Sequence, residues 1–122
     1  MKQLLFAMLF IGATYFGNAQ LANTKWKGVL VISDDSVNVI FDFKQDSLVV
    51  MSADENEPIE TMSCSYTADS FTIAKLSGQS DCGETPAIYT YTITNDKLTI
   101  AKKEDDCEDR YSVIDNTTYT KL

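Results

Sequence analysis

Histidine is absent from the chain, and 18 acidic residues stand against 10 basic ones. Together these two facts narrow the chemistry the protein can do. Imidazole is the commonest general base near neutral pH and the commonest transition-metal ligand, so nucleophile–histidine triads and typical zinc sites are excluded. Paired carboxylates remain for acid–base work. Those visible, Asp34 with Asp35 and the run Asp54, Glu55, Asn56, Glu57, sit in polar stretches that read as solvated turns. They lie away from the aromatic residues, so no catalytic residue is assigned and no enzymatic activity is expected. The segment Asp105-Asp106-Cys107-Glu108-Asp109-Arg110 concentrates hard oxygen ligands and invites a calcium reading. It lacks the Asp-x-Asp-x-Asp-Gly spacing that would aim them at one ion. An acidic helix start, where the backbone dipole favours carboxylates, is the simpler account, and neither metal nor cofactor is expected. Asn116-Thr117-Thr118 matches a glycosylation acceptor, a match without meaning in a bacterial chain, which the style of the leader suggests.

The compartment follows from the first residues. Lys2, the apolar run Leu4 to Phe16 and the small-residue stretch Gly17-Asn18-Ala19 are the three parts of a secretory signal in order. The apolar run is shorter than the roughly 20 residues a spanning helix needs. Residues 1–19 are therefore read as a signal peptide and 20–122 as the mature domain. No cysteine near the cleavage site carries a lipid, and no later segment reaches spanning length. The expected product is a soluble, acidic, secreted or periplasmic protein of one domain. The formal charge of −8, one unit more negative without Lys2, repels nucleic acid and anionic lipid.

Three cysteines in an exported chain allow one disulfide and one free thiol. Their pairing depends on the strands. From Trp26 onward apolar residues alternate with period two, and neighbouring runs agree on the inner face. A turn at Asp34 and Asp35 pairs Ser33 with Ser36, setting Ile32 near Val37, Leu30 near Val39, Gly28 near Phe41 and Trp26 near Phe43. A turn over Lys44 to Ser47 sets Phe43 opposite Leu48 and Phe41 opposite Val50. Around Ala68 and Asp69, Tyr66 faces Phe71 and Cys64 faces Ile73. At Asn95 and Asp96, both tolerant of positive φ, Ile93 faces Leu98 and Tyr91 faces Ile100. Extending this last ladder brings Cys107 opposite Glu84, two residues from Cys82. Cys82–Cys107 is thus the expected disulfide, contributing about 3 kcal/mol through the unfolded state. Cys64 then points inward as an apolar residue.

Beyond Ala101, Cys107, Tyr111 and Ile114 recur at helical spacing, Asn116 ends the helix, and Thr117 to Lys121 form a last strand with Tyr119 inward. The sum is an all-β fold, a small eight-stranded antiparallel meander barrel with one short helix before the last strand, which leaves no unpaired edge. Val29, Val31 and Ile40 fall on the outer face. The helix face of Tyr111 and Ile114 is expected to cover them, with a homodimer contact as the competing account; the oligomeric state is left open.

The opening Asn23-Thr24-Lys25-Trp26-Lys27-Gly28, the hairpin from Tyr89 to Ile100, and the Asp106-to-Arg110 segment before a strand containing Tyr119 together resemble the small bacterial lipocalin-like domains of the calycin group. The resemblance covers nearly all of residues 20–122, with Thr24 where the family motif carries Gly. It implies that Trp26 lies across a closed barrel end with Arg110 packed over its ring, a cation–π pair. It also implies a carrier of small apolar ligands. Phe41, Tyr66, Tyr89 and Tyr91 are the expected ligand-binding residues at the open end, and a cavity of about 300 Å³ or more is the requirement. The alternative is a barrel filled by its own rings, acting as a protein-interaction or inhibitor domain through acidic loops that meet a basic protein partner.

Overall fold

The computed structural model describes residues 21–122; the expected signal segment, 1–19, and its expected cleavage site lie outside the described residues. Eight antiparallel strands form a closed barrel in which each strand pairs with its neighbours in sequence and β1 meets β8. They are β1 (Thr24–Ile32), β2 (Asp35–Phe43), β3 (Ser47–Ser52), β4 (Glu57–Tyr66), β5 (Ser70–Gly78), β6 (Ala87–Thr94), β7 (Lys97–Glu104) and β8 (Thr117–Lys121), with helix α1 (Glu108–Ile114) between β7 and β8. No helix among the described residues is long and apolar enough to cross a membrane.

The period-two pattern becomes alternating burial. In β2, Val39, Phe41 and Phe43 are buried while Asn38, Ile40 and Asp42 are not. Registers expected for three reversals are the observed ones: Phe43 with Leu48 and Phe41 with Val50, Tyr66 with Phe71 and Cys64 with Ile73, Ile93 with Leu98 and Tyr91 with Ile100. The first hairpin differs. Trp26 pairs with Phe41, Gly28 with Val39, Leu30 with Val37 and Ile32 with Asp35. The turn is Ser33-Asp34, at φ 51° and 69°, because a two-residue hairpin matched to the strand twist needs positive φ at both central positions. The slip is two residues, so the inner faces are preserved.

The antiparallel order fixes what stands at each end of the barrel. One end, the base, carries the start of β1 and the turns 44–46, 67–69 and 95–96. The other, the mouth, carries Ser33-Asp34, turn 53–56, loop 79–86 and the β7-to-β8 connection with α1. Helix α1 packs against β1 and β7 and turns Arg110 and Ile114 inward, Ile114 joining the barrel core. It does not cover the outer wall: Val29 and Val31 stay 54% and 60% exposed, and Ile40 is half-buried. A connection that leaves β7 at the mouth and re-enters as β8 at the mouth crosses the opening rather than the side. Cys82–Cys107, with Cα atoms 5.6 Å apart, ties loop 79–86 to the residue before α1. Cys64 is free and buried, its thiol pushed up to about 11, chiefly by burial.

Gly28 marks where the wall closes. A Cβ there would lie 2.9 Å from Tyr119 Cε2 and closer still to Cδ2, so the Tyr119 ring occupies the space that any other residue would fill. That ring is buried and packs 4.6 Å from Phe41, centroid to centroid.

Candidate functional site

Inside the lower barrel the aromatic rings pack on one another. Phe43 meets Phe71 edge-on at 5.5 Å, Phe71 stacks on Tyr89 at 5.9 Å and lies 6.2 Å from Tyr91. Their phenols find partners within the protein. Tyr66 donates to the Lys44 carbonyl at 2.5 Å, and Tyr91 reaches the Thr67 and Ala68 carbonyls at 3.3 Å. Burial and these surroundings hold the Tyr66 and Tyr91 hydroxyls protonated, their pKa values raised. Trp26 donates from Nε1 to Thr24 Oγ1 at 2.8 Å, and Thr24 donates to the Leu21 carbonyl at 2.5 Å. With Leu21 itself fully buried, the base is plugged.

The four residues expected to bind ligand are therefore not gathered in one place. Tyr66 and Tyr91 point to turns at the base, Tyr89 reaches toward the mouth, and Phe41 stands in the middle of the wall. Trp26 and Arg110 are separated too. β1 begins at the base, whereas the connection carrying Arg110 follows an odd-numbered strand and so emerges at the mouth. The cation over a ring among the described residues is Lys102, 4.0 Å from the centroid of Tyr111.

The partner of Arg110 is Asp105, one of the acids expected to open the helix. Asp105 is buried and accepts from Arg110 Nε at 2.8 Å and Nη2 at 2.9 Å, a planar fork on a carboxylate. Tyr89 donates its hydroxyl to the same carboxylate at 2.5 Å, and the Cys107 amide adds a bond at 2.9 Å. Burial pushes the Asp105 carboxyl up, but the bonds from Arg110, Tyr89 and Cys107 together outweigh it and leave its pKa below the ordinary value. The guanidinium is held charged by its bonds to Asp105, against burial. The fork uses one edge of the guanidinium. Nη1, on the other side, is buried and has no acceptor among the described residues. The clue in the sequence is a lone arginine among acids.

Above Phe41, between the barrel wall and α1, lies a cavity of about 340 Å³. Leu30, Phe41, Val50, Ile59, Met62 and Ile114 supply its apolar lining, while Glu60, Asp109 and Arg110 border it. Glu60 is committed to loop 79–86. Its carboxylate accepts from the Ser80 amide at 3.1 Å and from the Ser80 hydroxyl, and Lys75 Nζ is 3.8 Å away. Gly78, at φ 139°, leaves the room this carboxylate occupies. A second, more open hollow of about 420 Å³ flanks the disulfide and is bordered by Asp81, Asp106, Glu108, Asp109 and Arg110. No cluster of three or more metal-ligating side chains is present among the described residues. Comparison of the chain with family models, with curated proteins and with solved structures returns no match.

Proposed function

We propose that the protein is an exported, lipocalin-like carrier that holds one small hydrophobic molecule at the mouth of its barrel. The observation that carries the reading is the cavity of about 340 Å³ between Phe41 and α1. Its size falls at the lower end of small-molecule sites, and Leu30, Phe41, Val50, Met62 and Ile114 give it an apolar face opposite polar groups that include Ser33, Gln79, Asp109 and Ser112. The lower barrel is solid with rings, so the ligand sits above them, against Leu30, Phe41, Met62 and Ile114. Export is consistent with the Cys82–Cys107 bond, since disulfides persist in oxidising compartments.

Trp26 lines the base and not the cavity, so its fluorescence is a poor reporter of occupancy. Titration with the neutral dye Nile red, followed by the methyl resonances of Ile59, Met62 and Ile114, reads the site directly. Saturable dye binding with shifts confined to those methyls is the expected result, and Ile59→Trp at the rim should weaken it at least about tenfold by filling a site of this size. Absence of binding by the dye and by a panel of apolar displacers would leave the reading without support.

A further inference from the structure

The wall of the barrel has two unlike outer halves. On β6, β7 and β8 the outward positions include Thr90, Thr92, Thr94, Thr99, Thr118 and Thr120, which suit a strand and keep a hydroxyl in water. On β1, β2 and β3 they include Val29, Val31, Ile40, Val49 and Met51. Strand formation does not require that difference, since threonine is β-branched as valine is. The registers join the apolar residues into one stripe. Ile40 pairs with Met51, and Val29 lies one diagonal step from Ile40, whose own partner is Lys27. Val31 extends the stripe toward the mouth on β1, and Val49 extends it toward the base on β3. Val29 and Val31 are more than half exposed, and α1 leaves them uncovered. A closed barrel offers no strand edge to pair, so whatever covers the stripe packs on its face.

Charge chooses the occupant. One flank of the stripe, at the base end of β1, carries Lys25 and Lys27; the other, where β3 turns into β4 at the mouth, carries Asp54, Glu55 and Glu57. All five are exposed, and none belongs to an ion pair among the described residues. We infer that the occupant is a second copy of this chain, the outer faces of β1, β2 and β3 packing on their equivalents about a two-fold axis that lies along the stripe. That axis lays apolar residue on apolar residue and exchanges the flanks, as in any isologous contact. At about 3.4 Å per residue and 4.8 Å per strand, it carries Lys27 onto turn 53–56 of the other copy and Lys25 toward its Glu57. Each such contact is made twice. Copies of a chain with net charge −8 repel one another in most orientations, so the paired flanks select this one. The mouth stands at the end of the barrel and stays open in the dimer, so the inference is independent of the carrier reading.

Sedimentation equilibrium of the native oxidised protein is the test. A face of three short strands is at the small end of specific interfaces, so a monomer–dimer equilibrium with a dissociation constant of about 1–100 μM is expected. Val31→Lys, at a position already in water, should leave the melting temperature little changed and weaken the dimer about tenfold or more. Lys27→Glu and Asp54→Lys should each weaken it about threefold or more, because the axis repeats every reversal. The double variant restores an opposite-charge pair and should regain most of that loss. In the native protein the methyl resonances of Val29, Ile40 and Met51 should shift on dilution through the transition. A monomer throughout the micromolar range overturns the inference, as does a dimer that Val31→Lys leaves intact. A double variant no tighter than the single ones overturns the two-fold arrangement. A monomer that floats with phosphatidylcholine vesicles gives the stripe to a lipid surface and overturns the second copy.

Discussion

Gly28→Ala should cost this protein about 1–3 kcal/mol, and the reason lies on another strand. The added methyl would stand 2.9 Å from Cε2 of Tyr119 and 3.3 Å from Cγ. Neither party can yield easily. Gly28 is in mid-strand in β1, paired with Val39. The Tyr119 ring is 1% exposed and rests on Phe41, with its hydroxyl 2.7 Å from Thr117 Oγ1, which in turn reaches the Ile114 carbonyl at the end of α1. Strand β8 joins β1 through only two residue pairs, Trp26 with Lys121 and Lys27 with Thr120. A displaced Tyr119 therefore strains the seam that closes the barrel. For a domain of this size, a loss of about 2 kcal/mol lowers the melting temperature by roughly 8–16 °C. The assay is urea unfolding of Gly28→Ala, Tyr119→Leu and the double variant. Because the clash needs both partners, the double variant should be more stable than the sum of the single losses by about 1 kcal/mol or more. Additive losses, or a Gly28→Ala change under about 0.5 kcal/mol, would refute the claim that the glycine is required by the ring.

Two further outcomes follow from the mouth. Replacing Cys82 and Cys107 by Ser frees a 25-residue separation, which on the chain-entropy account should cost about 3.5 kcal/mol; urea midpoints with and without reductant check it, and equal midpoints would contradict it. The depressed Asp105 carboxyl contributes stability that is fully present above the unfolded pKa of about 3.9 and is lost as pH falls through its lower folded value. Asp105→Asn should flatten that acid limb and, by leaving Arg110 buried without its counter-charge, cost about 3–5 kcal/mol at neutral pH; unfolding curves from pH 2 to 7 measure both.

Alternation along the chain was enough to place the strands, and turn chemistry was enough to set most registers. At Asn95-Asp96 and around Ala68-Asp69 the pairing expected from the turn positions is the observed one. The first hairpin is where alternation stops discriminating. Registers that differ by two residues bury the same faces, so Ile32, Leu30, Gly28 and Trp26 could not discriminate between them. The backbone did, through positive φ at Ser33 and Asp34. The tyrosines show a different limit. Their spacing marks them as inward, but the partners of Tyr66 and Tyr91 are backbone carbonyls in turns far along the chain, and carbonyls leave no trace in residue types. Asp105 was hidden because a carboxylate near a helix start already has an ordinary explanation.

The position of Arg110 follows from counting strands. In an up-and-down barrel each connection alternates ends, so a helix after the seventh strand stands at the end opposite the first residue of β1. That parity separates Arg110 from Trp26. At the base, among the described residues, the phenols of Tyr66 and Tyr91 and the indole of Trp26 are hydrogen-bonded to the protein, and Leu21 is buried beside them. At the mouth the same accounting stops one bond short, at Nη1 of a buried arginine beside an apolar cavity. Buried polar groups are satisfied in the great majority of cases, so this donor is an exception that sets the mouth apart from the base. The two ends therefore differ in construction: hydrogen-bonded rings close the base, while the helix at the mouth leaves a hollow beneath it.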